Sequence, residues 1–419
     1  MERIRQTFQL SNPAFRAACE AVRKLQAAGF EAGLVGGSVR DLLLGRVPAD
    51  FDLVTTAVPE QLMELFPDSR SVGASFGVSL IDVGEFRFEA ATAREERNYL
   101  DGRHPELVRY TDSLERDMER RDFTINALWY DPVAEVVCDC VGGVADLERG
   151  ILRTVGDPEE RFREDYLRML RAVRFAARLG FELAPGTRRA IAALAPRTAE
   201  LAPERIAGEL TRMLTGPSPD RAFRLMLELG LLRAVLPEAA ALDGVEQPPE
   251  FHPEGDVFTH TMAMLRHMAY PDVPLAWSVL LHDIAKPLTR SIDETGRIRF
   301  FGHEEAGALL AERILDRLRF SAALRESIVQ AVRKPVTVKT RLGWDEESKN
   351  IEEIALRLQD LLQIAKGGIN GHVTQVQHGH ILPGIQKRPH CAGSGLVRGA
   401  QHGGVPAHGK LQGQDGLAV

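Results

Sequence analysis

Short apolar runs alternate with longer amphipathic stretches over residues 1–155. FEAGLVGG predicts a strand that enters a glycine turn, and SVRDLLLG predicts a helix with Ser38 at its N-cap. FDLVTT and FRFEAAT each predict a further strand, whereas FTINALWYD is mixed. The alternation predicts an α+β (mixed α/β) fold for this head, a small mixed sheet with helices.

Helical spacing replaces this alternation from Asp157 onward. DPEERFREDYLRMLRAVRFAARLGF begins at Asp-Pro, has acids in its first turn and stops at Gly180, so it predicts one long helix. The same spacing continues to about Leu236, with breaks at APGT, LAPE and TGPSPD. We therefore expect an all-helical second domain over residues 156–240.

A linker containing proline and glutamate, GVEQPPEFHPEGD, leads to a third domain, predicted to be helical over residues 250–332. After it the pattern is lost. From Leu361 the only acid is Asp415, and Gly, His and Gln recur without apolar spacing. Such a stretch cannot build a packed core. We interpret residues 333–419 as an anomalous, disordered tail introduced by a gene fusion or a frameshift.

Composition narrows the class of protein. Charged residues make up 26% and hydrophobic residues 44%, as in ordinary soluble proteins. No run approaches the ~18 apolar residues of a membrane span, and the N-terminus has no apolar signal core. The 4 cysteines lack metal-finger spacing, which indicates a reducing cytoplasm. A net charge of -7 argues against a broadly basic nucleic-acid binder. The arginine-rich residues 153–233 are then either a local phosphate-contacting surface or a solvated helical face.

The most informative local pattern is GGSVRDLLLGRVPADFDLVTT. Asp50 and Asp52 are two residues apart in a predicted strand, so both carboxylates would lie on one face. Neighbouring carboxylates suit Mg²⁺ ions, which can bridge a triphosphate and activate an attacking hydroxyl. Gly36 and Gly37 would leave backbone N–H groups for phosphate, and Arg40 lies one turn into the next helix. The combination predicts a metal-dependent nucleotide site.

At this point residues 30 to about 235 resemble the polymerase-beta-like nucleotidyltransferases, specifically the bacterial class of tRNA CCA-adding enzymes and poly(A) polymerases. The resemblance implies that Asp50 and Asp52 hold the catalytic metals, and that the glycine turn and Arg40 contact the incoming nucleotide. It also makes Glu89, in FRFEAATAR, a third carboxylate near the metals. On its own, an acid in an alternating strand would be read as facing solvent.

The polar segment REERNYLDGRHPELV contains a glycine and indicates a mobile loop. It resembles the flexible loop that helps the family's site to change from adding C to adding A. The resemblance assigns Asp101, Arg103 and His104 to that loop.

RRDFTINALWYD places a group of polar residues at the start of a predicted helix. A helix cap and surface charges would explain them without any function. The resemblance instead implies that Arg121 contacts the nucleotide and that Asp122 organises the site, with Asn126 and Arg120 beside them.

EDYLRMLRAVRF offers a means of choosing bases. Asp165 and Arg168 are three residues apart and would share a helical face. The carboxylate accepts hydrogen bonds and the guanidinium donates them, which suits the pairing edges of cytosine and adenine and mismatches those of uracil and guanine. A surface salt bridge is the alternative. The resemblance implies that Asp165 and Arg168 read the base, and that Arg171 and Arg174 contact the triphosphate or support the helix.

PERIAGEL resembles the next motif of the family. The resemblance implies that Glu204 and Arg205 form an ion pair that stabilises the helix.

Histidines recur in the third domain. HPEGDVFTHTMAML contains His260, LLHDIAKP contains His282 and Asp283, and FGHEEAG contains His303. Histidine and carboxylate ligands on neighbouring helices can hold a divalent metal, although a lone helical histidine usually belongs to the core or the surface. This stretch resembles the HD phosphohydrolase domain. The further aspartate of that family does not appear before the pattern is lost, so we expect a metal site or a degenerate structural domain without hydrolase activity.

The start of the tail, KPVTVKTRLGWDEESKNIEEIALRLQD, resembles a fragment of the flavin-dependent tRNA-dihydrouridine synthases, with Lys339 and Arg341 in their flavin- and RNA-contacting region. A segment this short cannot form the barrel that holds the flavin. We transfer no function from it.

These patterns predict a cytoplasmic, template-independent RNA nucleotidyltransferase that adds C and A to the 3′ end of tRNA. Its cofactor would be Mg²⁺ and its substrates ATP and CTP. The terminal hydroxyl would attack the α-phosphate by two-metal chemistry. The arginine-rich helices would hold the acceptor stem by shape and backbone charge, with no membrane and no protein partner.

A poly(A) polymerase, or an enzyme adding only CC or only A, would share these motifs. An HD-domain metal phosphohydrolase and a non-catalytic RNA-binding module are the alternatives from other classes.

Overall fold

An eight-stranded sheet forms the N-terminal head in the computed structural model, which describes residues 1–71, 77–99, 105–269 and 271–333. Its strands, in chain order, are β1 Glu2–Arg5, β2 Ala32–Val35, β3 Asp52–Thr55, β4 Arg70–Ser71, β5 Val78–Val83, β6 Phe86–Thr92, β9 Leu128–Asp131 and β10 Val136–Asp139. Their spatial order is β1-β10-β9-β2-β3-β6-β5-β4. Neighbours are antiparallel throughout, except that β3 and β6 run parallel. Strands β7 (Arg94–Tyr99) and β8 (Pro105–Tyr110) pair as a separate antiparallel hairpin.

The two faces of the sheet carry different cores because side chains alternate along each strand. Leu34 and Leu53 face the larger core, which includes residues of the first helix. Their neighbours Val35 and Val54 face a smaller core with Trp129. The helices of the head are α1 Pro13–Ala27, α2 Gly37–Leu43, α3 Pro59–Leu65, α4 Leu114–Glu119 and α5 Gly143–Arg149.

Helices dominate residues 156–333 where the structure describes them. They are α6 Pro158–Glu164, α7 Leu167–Leu179, α8 Pro185–Leu194, α9 Pro203–Leu214, α10 Pro219–Glu228, α11 Leu231–Val235, α12 Pro237–Ala240, α13 Val257–His267, α14 Val273–Leu281, α15 Lys286–Thr289, α16 His303–Arg317 and α17 Ala322–Arg333. The sequence predicted only helices in this part of the chain. The helices are present, but two short two-stranded sheets lie between them. These are β11 (Ile151–Leu152) with β12 (Glu182–Leu183), and β13 (Ser291–Ile292) with β14 (Ile298–Arg299). The predicted α+β class, a mixed head followed by helices, is confirmed.

The long helix predicted from Asp157 to Gly180 is wrong, because the chain breaks it at Asp165. Asp165 has extended backbone angles, φ -155° and ψ 105°, between α6 and α7. Its carboxylate accepts a hydrogen bond from the Leu167 N–H at 3.0 Å, in the manner of a cap at the start of α7. The break therefore lies at a residue predicted to be functional.

No helix in the described part of the chain has the length and apolar character that crossing a bilayer requires.

Candidate active site

Three carboxylates meet at the end of the sheet where β3 begins. Asp52 is the first residue of β3, and Leu53 after it pairs with Ala90 of the parallel strand β6, so Glu89 lies beside Asp52. Asp50 precedes the strand instead of belonging to it, which corrects the prediction of one strand carrying both aspartates. Asp50 and Glu89 are exposed, whereas Asp52 is half-buried.

The electrostatics of this cluster favour a cation. Burial, together with the negative charges of Asp50 and Glu89, raises the pKa of Asp52 to about 6, against a smaller lowering effect of Arg121. Carboxylates that repel one another are a set of hard oxygen ligands, which suits a divalent ion such as Mg²⁺. The three acids named from the sequence thus influence one another electrostatically, and a cation among them would relieve that repulsion.

The glycine turn lies against Arg121. Gly36 has φ +72°, and a Cβ built there would be 3.3 Å from Nη1 of Arg121, so a larger residue would push the guanidinium away. Gly36 is also the N-cap position of α2, which corrects the assignment of Ser38 to that role. The buried Ser38 hydroxyl instead donates to the Val35 carbonyl at 3.0 Å. The Gly36 N–H donates to the Leu128 carbonyl at 3.1 Å, so it is not free for phosphate as expected.

A hydrogen-bonded series connects α2 of the head to α7. Arg40, whose side chain is 4% exposed, donates from Nη1 to Oδ1 of Asn126 at 2.8 Å. Nδ2 of Asn126 donates to Oδ1 of Asp122 at 3.3 Å. Oδ2 of Asp122 accepts from Nε and Nη2 of Arg171 at 2.9 and 2.7 Å. Arg40 is therefore held inside the protein, whereas the sequence suggested a group reaching directly to phosphate.

The charge of Asp122 depends on this series. Burial acts to raise the pKa of Asp122, but the charge and hydrogen bonds of Arg171, with help from Arg168 and Asn126, hold it below its usual value. The predicted helix around Asp122 is also wrong. A single 3₁₀ turn, Thr124–Asn126, precedes strand β9.

Asp165 and Arg168 have different partners. Asp165 forms a bidentate pair with Arg205 of α9, with Nη1–Oδ1 and Nη2–Oδ2 distances of 3.1 and 2.7 Å. Arg168 instead contacts Glu164 and donates to the Arg161 carbonyl at 2.9 Å. The expected ion pair of Arg205 with Glu204 is wrong as well, because Arg205 reaches across to Asp165. Both proposed base readers therefore lie next to α6, each held by its own partner.

Arg174 has a buried partner that sequence reasoning missed. Glu209, 1% exposed, accepts from Nε of Arg174 at 2.6 Å and from Nη1 of Arg212 at 2.9 Å. The signal was available, because Glu209 lies among Ile206, Leu210 and Met213 in the apolar stripe of α9. The ring of Phe175 completes this layer. The guanidinium carbons of Arg174, Arg171 and Arg40 lie 4.4, 5.4 and 5.4 Å from the ring centroid.

The predicted flexible-loop residues Asp101, Arg103 and His104 lie outside the described residues. Lys339 and Arg341, in the predicted tail, also lie outside the described residues.

The four metal-ligand candidates of the third domain come together around Asp283. His282 Nε2 is 3.0 Å from Oδ2 of Asp283, His260 Nε2 is 4.0 Å from the same oxygen, and His303 Nε2 is 3.6 Å from Oδ1. The atoms of His260, His282 and Asp283 are close enough to hold one ion. His252, Glu254 and Lys286 complete the cluster; no periodic signal singled them out in the sequence.

The head is a mixed sheet with a glycine turn beside an acid cluster, and helices follow it. This arrangement defines a nucleotidyltransferase head on a helical body. The profile of the Poly A polymerase head domain matches residues 32–153. That of the probable RNA and SrmB-binding site of polymerase A matches residues 180–242, and that of the HD domain matches residues 257–365. The resemblance of the tail to a dihydrouridine synthase gains no support, because the HD profile extends across residues 333–360.

The CCA-adding enzyme of Geobacillus thermodenitrificans is 36% identical over 299 residues, which cover 71% of this chain and 70% of that enzyme. The chain therefore belongs to the CCA-adding enzyme family. Poly(A) polymerase I of Escherichia coli is 42% identical over 230 residues, with 52% of this chain and 50% of that protein covered. The structure of the Bacillus stearothermophilus CCA-adding enzyme in complex with CTP is 28% identical, with a TM-score of 0.56 and coverage of 84% and 83%.

Proposed function

We propose that this enzyme adds C and A to the 3′ end of tRNA, from CTP and ATP, and thus acts in the cytoplasm. The observation that carries the proposal is the cluster of Asp50, Asp52 and Glu89 beside the Gly36 turn and Arg121. Asp50 and Asp52 would hold the metal, with Glu89 as a third carboxylate beside them. Mg²⁺ bound there would supply charge stabilisation for the attacking 3′-oxygen and the leaving pyrophosphate.

The residues around the cluster have separate tasks in this proposal. Arg121, adjacent to Gly36 and paired with the buried Asp117 at 3.2 Å, contacts the triphosphate. Arg40 and Asn126 fix the phosphate side of the site from behind, because both are buried. Asp122 and Arg171 connect Arg40 and Asn126 to α7 by hydrogen bonds. The phosphates and the base are therefore held at a constant distance from each other.

Asp165 and Arg168 are proposed to read the base. A carboxylate has more than one lone pair on each oxygen, so Asp165 can accept from Arg205 and from a nucleotide amino group together. Arg168 can donate to the ring nitrogen of cytosine or adenine. Uracil and guanine present the reverse order and would leave polar groups unpaired, at about 1–3 kcal/mol each.

The test offers the purified protein a tRNA without its terminal CCA, with each nucleoside triphosphate alone and all together. Products ending in CCA support the proposal, and long adenosine runs would replace it with polyadenylation. Products that stop at CC, or that gain only A on a CC end, would restrict it to partial addition. No extension in Mg²⁺ would overturn it. Asp52→Asn should abolish extension, whereas Asp82→Asn, at a half-buried carboxylate of the same sheet that pairs with the exposed Arg87, should leave it intact.

We also propose that the third domain holds a divalent metal. The observation that favours it is the convergence of three imidazole Nε2 atoms and one carboxylate, a donor set suited to Zn²⁺, Mn²⁺, Co²⁺ or Ni²⁺. A phosphatase assay separates the two sites. Phosphoester hydrolysis that survives Asp52→Asn and disappears with His282→Ala would make the chain an HD-domain hydrolase as well, and absence of hydrolysis would leave the metal structural.

A further inference from the structure

The histidines around Asp283 are each fixed at the ring nitrogen that faces away from it. Nδ1 of His282 is 2.7 Å from the Val279 carbonyl, and Nδ1 of His303 is 2.7 Å from the Phe300 carbonyl. Nδ1 of His260 is 2.5 Å from Oε1 of Glu254. Carbonyl and carboxylate oxygens only accept, so all three Nδ1 atoms must carry the proton. A neutral imidazole then presents a bare Nε2 lone pair toward Asp283.

This arrangement leaves electron pairs facing one another. Nε2 of His282 is buried and makes no hydrogen bond, although it lies 3.0 Å from Oδ2 of Asp283. Lys286 supplies one fixed positive charge, with Nζ 2.7 Å from Oδ2 of Asp283 and 2.6 Å from Oε1 of Gln247. One ammonium satisfies one oxygen and no imidazole nitrogen. The imidazole nitrogens and the other carboxylate oxygen still have lone pairs without a partner among the described residues. One metal cation would accept several of them.

Glu254 differs from the other two acceptors because it is a side chain. The carbonyl that orients His282 belongs to the last turn of α14, and the one that orients His303 belongs to the segment just before α16, so both acceptors are backbone atoms close in sequence. His260 lies in the first turn of α13, and its acceptor comes from the loop before that helix. Glu254 is half-buried, and its other oxygen, Oε2, is buried without a hydrogen bond. The same Oε1 lies 3.2 Å from Nδ1 of His252.

We propose that Glu254 is a positioning residue of the third-domain metal site, which holds His260 in the Nδ1–H tautomer so that Nε2 is available as a ligand. The inference rests on the metal binding proposed above. Glu254 also adds a negative charge behind His260, which strengthens the donor nitrogen. Such outer partners typically change metal affinity about 10- to 100-fold.

The test titrates the full-length, chelator-stripped protein with Co²⁺ and follows its visible absorption bands. In an Asp283→Ala variant, the absorption comes from Co²⁺ bound anywhere else, including at the C-terminal histidines. This absorption is subtracted from that of the other proteins. Glu254→Leu should weaken the remaining site about 10- to 100-fold. Glu254→Gln keeps an acceptor oxygen and should lie between Glu254→Leu and the wild type. Glu250→Leu, at an exposed neighbouring acid 3.8 Å from Arg297, is the matched control and should bind like the wild type.

A second readout needs no metal. Long-range ¹H–¹⁵N correlation spectra of the stripped protein distinguish the two imidazole tautomers, and His260 should change from Nδ1–H to a mixture in Glu254→Leu. If the wild type and Asp283→Ala bind Co²⁺ alike, the metal proposal fails. If the site exists but Glu254→Leu binds as tightly, with His260 still Nδ1–H, the role of Glu254 is refuted. Should Glu254→Leu not fold, wild-type affinity in Glu254→Gln together with a mixed His260 tautomer would refute it equally.

Discussion

Arg205 binds both carboxylate oxygens of Asp165 from a helix forty residues further along the chain. The side chains are 22% and 18% exposed, so each also borders solvent-accessible space where a base could lie. A bidentate guanidinium fixes the plane of the carboxylate, whereas a single contact would let it rotate. Arg205 thereby sets the direction of the Asp165 lone pairs that remain.

Arg205→Lys should weaken base discrimination more than catalysis. Lysine keeps the positive charge but makes only a point contact, so the carboxylate of Asp165 loses one of its fixed oxygens while the Leu167 N–H still holds Oδ1. We expect the ratio of CTP to UTP incorporation to fall about tenfold, which corresponds to the loss of one charge-assisted hydrogen bond. Single-nucleotide extension kinetics on a tRNA without CCA measure the ratio. Arg197→Lys, in the exposed pair with Glu200, should leave it unchanged.

Asn126→Ala should produce the complementary result. Its amide joins Arg40 to Asp122, so the variant loses support on the phosphate side, which CTP and ATP share. We expect KM for both nucleotides to rise by about tenfold or more, from the loss of one hydrogen bond to a charged group, with the CTP to UTP ratio retained. Extension assays over a range of each nucleotide measure it. A change confined to one nucleotide would contradict the shared role.

Asn12→Ala, which also lowers stability by removing a hydrogen bond, serves as the control for Asn126→Ala. Asn12 caps α1, with Oδ1 accepting from the Ala14 N–H at 2.8 Å. Asn12→Ala should cost about 1 kcal/mol of stability and leave KM unchanged. Equal rises in KM in both variants would attribute the Asn126 effect to stability alone.

Local patterns predicted the sheet but could not predict the network. Strands β2, β3 and β6 were predicted correctly because a short apolar run is a local property, and residues such as Leu53 and Val54 are buried on opposite faces of the sheet. The break at Asp165 was missed because α6 and α7 together satisfy helical spacing, and the contact with Arg205 that accompanies the break is distant in sequence. Arg40 was expected at the phosphates because its partner, Asn126, is eighty-six residues away. Spacing reports neighbours along the chain, whereas these roles depend on neighbours in space.

The raised pKa of Asp52 implies that the metal-free active site destabilises the fold. The folded state holds this proton up to about pH 6, whereas an ordinary aspartate releases it near 3.8. The native state therefore binds more protons between these values, so the free energy of unfolding falls as pH rises through this range and the loss is complete above pH 6. Two pKa units correspond to about 3 kcal/mol, and partial solvent access reduces this to about 1–3 kcal/mol.

Asp52→Asn should accordingly be more stable than the wild type by about 1–3 kcal/mol at pH 8 in chelator, although inactive. Below pH 4 the difference should disappear, because the wild-type residue is then neutral too. Urea unfolding from pH 4 to pH 8 measures this. Added Mg²⁺ should raise the stability of the wild type and not that of Asp52→Asn, since a bound cation relieves the repulsion among Asp50, Asp52 and Glu89. Asp82→Asn, which loses the Arg87 partner at 2.6 Å, should show no gain at pH 8. Equal stability of Asp52→Asn and the wild type at pH 8 would mean that the three acids do not repel one another as their positions imply.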